Sequence, residues 1–163
     1  MTKGIKVPIS LIIPCKNEEA NLDRCLQSVP WVAEVFVVDS NSSDKTSEIA
    51  EMHGAKVVQF EYKGGWPKKK NWALENLSFS NEWVLILDAD ECLPPEAEEE
   101  IRSIVNNAGN KHSGYWINRR YFFMGKALEY AYFPNWNLRL FKHKLGKYEK
   151  ITDLSTDSGD HEI

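Results

Sequence analysis

The chain has 163 residues, enough for one domain with a buried core or one domain and a fragment of another. Apolar residues make up 42% and charged residues 27%, ordinary proportions for a soluble globular protein, and no run is long and apolar enough to cross a bilayer. The net charge of −4 speaks against nucleic acid as the main partner, because binders of the phosphate backbone present basic faces.

The first hundred residues alternate strand and helix. Val7 to Ile13 is an apolar run ended by Pro14, and reads as a buried strand. Asn17 to Ser28 places Ala20, Leu22, Cys25 and Leu26 at helical spacing, with Asn17 in the position of an N-cap. Glu34 to Val38 is a second strand, followed by a polar cluster, Asp39 to Asp44. A helix then runs from Lys45 to His53, stopped by Gly54 where a left-handed residue is wanted. Lys56 to Phe60 is a third strand, and Pro67 is preset for the first turn of a helix through Leu77. Trp83 to Leu87 is a fourth strand. Pro94 and Pro95 open another helix, whose first turn is crowded with Glu96, Glu98, Glu99 and Glu100, where the helix dipole favours anions. This alternation predicts an α/β fold, a mostly parallel Rossmann-like sheet flanked by helices. Beyond Gly109 the pattern changes. Gly114 to Phe123 and Asn137 to Lys142 read as antiparallel strands, and nearly half of the aromatic residues fall between Tyr115 and Trp136. The amino terminus lacks the apolar core of a signal peptide, and Cys15, Cys25 and Cys92 form no Cys-x-x-Cys pair. Both features point to free thiols in a reducing, cytoplasmic setting.

In parallel α/β sheets the ligand binds outside the carboxyl ends of the strands. The fourth strand delivers Asp88 and Asp90 there, alternating carboxylates that suit a hard divalent cation whose shell is completed by phosphate. Taken alone, the pair could equally cap the next helix. The first strand leads into Pro14-Cys-Lys-Asn-Glu18 and the second into Asp39, so acidic residues stand at three strand ends and can bind a nucleobase and ribose. Asp44 reads first as a cap. Of Lys68, Lys69 and Lys70, no more than two can point into a site, since three consecutive residues do not share a helix face. The aromatic block reads mainly as core of the antiparallel part, with two alternatives, a platform for sugar rings or an amphipathic surface that touches a membrane. The four histidines show no metal-ligand spacing.

Ser10 to Glu19 (Ser-Leu-Ile-Ile-Pro-Cys-Lys-Asn-Glu-Glu), Val37 to Thr46 (Val-Val-Asp-Ser-Asn-Ser-Ser-Asp-Lys-Thr), Lys70-Asn71 and Leu87 to Glu91 (Leu-Asp-Ala-Asp-Glu) together resemble the family 2 glycosyltransferases. The nearest subgroup builds lipopolysaccharide core and other bacterial surface glycans. The resemblance implies one GT-A domain over residues 1–163, with a nucleotide-sugar-binding half (1–110) and the start of an acceptor-side half (111–163) that is cut short. It implies a hexose moved with inversion from a nucleotide-sugar, a UDP-sugar, to a saccharide or lipid-linked acceptor, with Mg²⁺ or Mn²⁺, at the inner face of the membrane.

By the same resemblance, Pro14 and Glu18 line the uridine pocket and Asp39 hydrogen-bonds the uracil. Lys70 and Asn71 lie near the diphosphate or the aspartates. Asp88 holds ribose or a metal-bound water, and Asp90 holds the metal. Trp136, with Asn137, Arg139 and Phe141, resembles an acceptor-side segment, giving Trp136 and Arg139 to the acceptor. Asp160 and Glu162 are candidates for the catalytic base, or the base lies beyond Ile163. Three rivals share parts of the pattern. A sugar-nucleotide pyrophosphorylase-like enzyme would want a Gly-rich basic loop after the first strand. A phosphatase using Asp88 and Asp90 leaves the other acidic strand ends unexplained. A nucleotide-sugar-binding module without turnover would keep the donor site and lack the base.

Overall fold

The computed structural model describes residues 5–64, 67–107, 111–130 and 133–148. Val7–Cys15 (β1), Val32–Asp39 (β2), Lys56–Gln59 (β3) and Trp83–Ile86 (β4) pair in parallel, and Trp136–Lys142 (β8) joins β4 antiparallel, with Gly114–Asn118 (β5) outside it. The strand order is β3-β2-β1-β4-β8-β5, so the expected α/β architecture with an antiparallel C-terminal part is what the chain forms. A two-stranded ribbon of Phe122–Phe123 (β6) and Lys126–Ala127 (β7) stands apart from this sheet.

The topology follows from crossover handedness. From β1 the chain steps outward through Leu22–Gln27 (α1) to β2 and through Thr46–Met52 (α2) to β3. It then returns through Lys69–Asn76 (α3) to β4, on the other side of β1. Right-handed crossovers in opposite directions put their helices on opposite faces. Accordingly Val7, Ile9, Leu11 and Ile13 of β1 pack with Leu22, Cys25 and Leu26 of α1 and Ala50 of α2. Ile101 of Pro95–Asn106 (α4), the helix that follows β4, packs into the same cluster. On the opposite face, Ile12, Val84, Ile86 and Phe141 pack with Ala73 of α3. The reversal of direction at β1 and β4 opens a crevice at their carboxyl ends.

Four local expectations change. The helix expected over Asn17 to Ser28 is confined to α1, because the amides of Asn17, Glu18 and Glu19 donate instead to Ser42 Oγ, Thr46 Oγ1 and Asp44 Oδ2, at 2.8, 2.8 and 3.0 Å. Asn17 therefore does not cap α1; its φ of 54° puts it in the left-handed region, which asparagine tolerates. Pro67 precedes α3 by two residues and stands outside its first turn. The strand expected over Gly114 to Phe123 breaks after Asn118. The last correction concerns the aromatic block, expected mainly as core. Trp116, Phe122, Phe123, Tyr130 and Trp136 are exposed. For the two phenylalanines the reason is that β6 and β7 pair with each other, apart from the main sheet, and no helix among the described residues covers them. Tyr115 of β5 leans on the core, against Trp83. By contrast, Gly54 (φ 73°) ends α2 as expected, and Pro94 and Pro95 open α4 with Glu96 and Glu98 in its first turn.

At the amino ends of the parallel strands, opposite the crevice, Glu34 sits buried in a polar knot. It accepts from Ser10 Oγ (2.5 Å), Lys56 Nζ (2.8 Å), Ser80 N (3.0 Å) and Ser80 Oγ (2.9 Å). Burial alone would raise its pKa, but these donors outweigh burial and hold it at about 2, below the usual 4.5. A depressed carboxylate stabilises the fold fully above its unfolded pKa, and that contribution is lost as pH falls from about 4.5 towards 2. We predict that the urea midpoint of the protein falls over this window and that Glu34→Gln flattens the fall. An unchanged pH slope in the variant would show that Glu34 is not a source of the acid sensitivity.

Candidate functional site

Three strand ends and one helix build the crevice. β1 ends in Cys15, and the chain turns through Asn17 to present Glu18, which is half-buried. The adjoining Ser42–Thr46 segment is laced to this turn. Ser43 N donates to Asn17 Oδ1 (2.9 Å) and Lys45 N to Glu19 Oε2 (3.0 Å). Asp44 Oδ1 accepts the amide of Thr46 (3.0 Å), the first residue of α2, while Lys45 takes the N-cap position. Pro14 is half-buried where β1 lies against Val38.

Asp39, at the end of β2, is 1% exposed. Its Oδ2 accepts from Ser42 N (3.0 Å), Gln59 Nε2 (3.1 Å) and Ser47 Oγ (3.3 Å), while Oδ1 accepts from Ser42 Oγ. Burial would raise its pKa; the Ser42, Gln59 and Ser47 hydrogen bonds outweigh it and lower it. Cys15 beside it is no nucleophile, since burial pushes its thiol up to about 12 against the pull of Lys69.

The two aspartates after β4 have separate surroundings. Asp88 is clamped: Oδ1 pairs with Lys70 Nζ (3.1 Å) and Oδ2 with Arg139 Nη2 (2.7 Å), with Arg119 Nη1 3.7 Å away. Glu91 completes the cluster, accepting from Arg139 Nη2 (2.9 Å), Arg119 Nη1 (3.2 Å) and the Asp88 amide (2.8 Å). Burial would raise the Asp88 pKa, but Lys70 and then Arg139 overcome it and hold the carboxyl at about 2. Asp90 lies on the following turn, exposed; its backbone carbonyl accepts from Arg24 Nη2 at 3.3 Å.

The lysine run divides as helix geometry requires. Lys70 reaches Asp88, and Lys69 Nζ donates to the Cys15 carbonyl at the end of β1 (2.7 Å). Asn71 is buried and exchanges both amide groups with the backbone of Tyr148, at 2.9 Å each. Trp136 is exposed at the start of β8. Arg139, expected on the acceptor side, is 3% exposed and lies under Asp88 and Glu91. The reason is register: Leu140 of β8 pairs with Leu85 of β4, which points the neighbouring guanidinium at the end of that strand. Asp160 and Glu162 lie outside the described residues.

Glu91 and Arg119 escaped the sequence reading. Glu91 sits next to the aspartate pair, but only the fold supplies its arginines. Among the described residues no group of three or more His, Cys, Asp or Glu side chains is placed to hold a metal. A single exposed carboxylate still fits Mg²⁺ or Mn²⁺ where a diphosphate and waters complete the shell, since such cations take one or two protein carboxylates at phosphate sites.

A family model described as Glycosyl transferase family 2 matches residues 10–159. The chain is 32% identical over 153 residues to the lipopolysaccharide core biosynthesis glycosyltransferase LpsC of Rhizobium meliloti, covering 88% of this chain and 54% of that protein. It is 34% identical over 151 residues to an uncharacterized glycosyltransferase of Rickettsia typhi, covering 91% of this chain and 51% of the other. The chain thus spans about half the length of these relatives. In fold it is similar to TarS of S. aureus, with a TM-score of 0.53 over 83% of this chain and 28% of that one, at 23% identity. The architecture is the GT-A fold that the sequence resemblance implies.

Removing Arg139 would leave Asp88 and Glu91 short of their most buried partner. We predict that Arg139→Met lowers stability by about 2–4 kcal/mol, the cost of breaking a buried pair reduced for the partial exposure of Asp88. Urea unfolding measures this, and a loss under about 0.5 kcal/mol, the range of a surface substitution, would refute the role given to the cluster.

Proposed function

The chain belongs to glycosyl transferase family 2, and from that membership we propose that it binds a UDP-hexose in the crevice at the carboxyl ends of β1, β2 and β4. The hexose passes, with inversion, to a saccharide or lipid-linked acceptor in the synthesis of a bacterial surface glycan. The name of the Rhizobium relative supports the lipopolysaccharide context. The observation that carries the reading is the contrast between the aspartates: Asp88 is neutralised by its own cations, while Asp90 stands exposed one turn away.

In this reading Pro14 and Glu18 flank the uridine. Among the described residues Asp39 Oδ1 accepts from the Ser42 hydroxyl alone, so one of its lone pairs remains for a base N–H. Lys69 and Lys70 line the path of the diphosphate with positive charge, and Asn71 holds the wall of the crevice by fixing Tyr148. Asp90 would hold Mg²⁺ or Mn²⁺, and Asp88 would reach the ribose or the shell of that cation. When bound, the cation supplies Lewis-acid stabilisation of the departing nucleoside diphosphate. Lys69 and Lys70 act in the same sense, because negative charge grows on that group as the glycosidic bond breaks. Arg139 positions Asp88 and leaves the acceptor face to Trp136.

Proton removal from the acceptor hydroxyl falls to Asp160 or Glu162. Glu91 cannot serve, since Arg119 and Arg139 share its Oε1 and the Asp88 amide donates to its Oε2. That engagement also favours a second reading, a nucleotide-sugar-binding module without turnover. Slow metal-dependent hydrolysis of the donor separates the two, being expected of the enzyme and absent from the module.

Calorimetric titration with UDP, UDP-glucose, UDP-galactose and GDP-mannose, with and without Mn²⁺, tests the donor site. We expect the uridine nucleotides to bind and Mn²⁺ to tighten them by roughly tenfold or more. Asp90→Ala should remove that gain and leave metal-free binding in place. A metal gain that survives in the variant sinks the assignment of Asp90, and no binding of any uridine nucleotide sinks the reading as a whole.

A further inference from the structure

We propose that the β6–β7 hairpin is a wedge that docks this protein on the surface of an anionic lipid bilayer. The ribbon pairs Phe122 with Ala127 and Phe123 with Lys126, so the two phenylalanines point to opposite faces. Phe122 is 67% exposed, Phe123 66% and Met124, at the tip, 87%. Among the described residues, then, nothing covers either face of the ribbon. Three consecutive large apolar side chains held in water mark an interaction site, and a two-stranded ribbon gains little stability by itself.

The geometry selects the occupant. A protein partner lying on one face, or adding a strand to an edge, would leave the other phenylalanine wet. A medium that surrounds the tip covers both at once, as the headgroup and acyl boundary does for an interfacial apolar element. Charge agrees. The chain carries −4 overall, yet residues 111–130 hold Lys111, Arg119, Arg120 and Lys126 against Glu129 alone. Arg120 and Lys126 are exposed at the base and side of the wedge, where they meet anionic headgroups as the tip enters. Trp116 and Trp136, exposed on β5 and β8, add the aromatic residues that favour the interface.

The wedge is tied to the crevice. Arg119, three residues before Phe122, contacts Glu91 at 3.2 Å, and three residues span no more than about 10 Å of backbone. Docking therefore brings the crevice to headgroup level, where a lipid-linked acceptor would be presented. The docking itself stands on the wedge alone and does not rest on the donor-site reading.

Co-sedimentation with vesicles of phosphatidylcholine, pure or mixed with phosphatidylglycerol, tests it. The protein should bind the mixed vesicles, lose binding as salt rises, and bind pure phosphatidylcholine at least tenfold more weakly. The Phe122→Ser, Phe123→Ser, Met124→Ser triple variant should lose binding by at least tenfold, and Arg120→Glu with Lys126→Glu by a similar factor. Both variants change exposed residues, and unaltered UDP titration and circular dichroism would show that crevice and fold persist. Equal binding by the triple variant overturns the proposal, as does wild-type protein that ignores anionic vesicles. Light scattering that shows a dimer broken by the triple variant, without vesicle binding, overturns it in favour of a second copy of the chain.

Discussion

The Asp88 carboxylate, held by Lys70 from α3 and by Arg139 from β8, is the point at which the parallel and antiparallel parts of the molecule are joined. Three cations and two carboxylates meet there, drawn from α3, β8, the turn after β4 and the segment after β5. Taking those charges out of water is costly, and only mutual pairing offsets it. The cluster therefore constrains where α3, β8 and the β4 turn sit relative to one another. One backbone amide of the turn is included, since Asp88 N donates to Glu91. The turn that carries Asp90 is fixed from within, while the Asp90 side chain stays in solvent.

A second constraint acts on the uridine side of the crevice. Two loops that would each carry unsatisfied backbone amides satisfy one another. Asn17, Glu18 and Glu19 donate to the side chains of Ser42, Thr46 and Asp44, and Ser43 and Lys45 donate in return to Asn17 and Glu19. The cost is half of the helix that periodicity alone would grant this stretch. The gain is a rigid rim on a site otherwise built from loops, which suits recognition of a flat base between two strand ends.

Legibility in the sequence was uneven for physical reasons. Strand runs such as Trp83 to Leu87 and turn signals such as Gly54 act locally, and the structure keeps them. Helix starts are decided by where orphan amides find partners, and those of Asn17 to Glu19 lie 25 to 28 residues away. The β6–β7 turn needs two residues at positive φ, and Met124 (49°) and Gly125 (77°) supply them. Met-Gly is not a pairing that announces such a turn, so the aromatics around it passed for a continuous strand in the core.

The sequence by itself determined the order of strands and helices, the polar residues at their ends and the family they match, because run length and punctuation are properties of neighbouring residues. Only the tertiary structure decided which acidic groups are spent and which are free. Arg139 lies 51 residues from Asp88 in the chain, and its proximity depends on β8 entering the sheet antiparallel beside β4. Among the described residues, the same packing left the Phe122–Phe123 ribbon exposed on both faces. Charge neutralisation and exposure are relations between distant segments, and no local pattern encodes them.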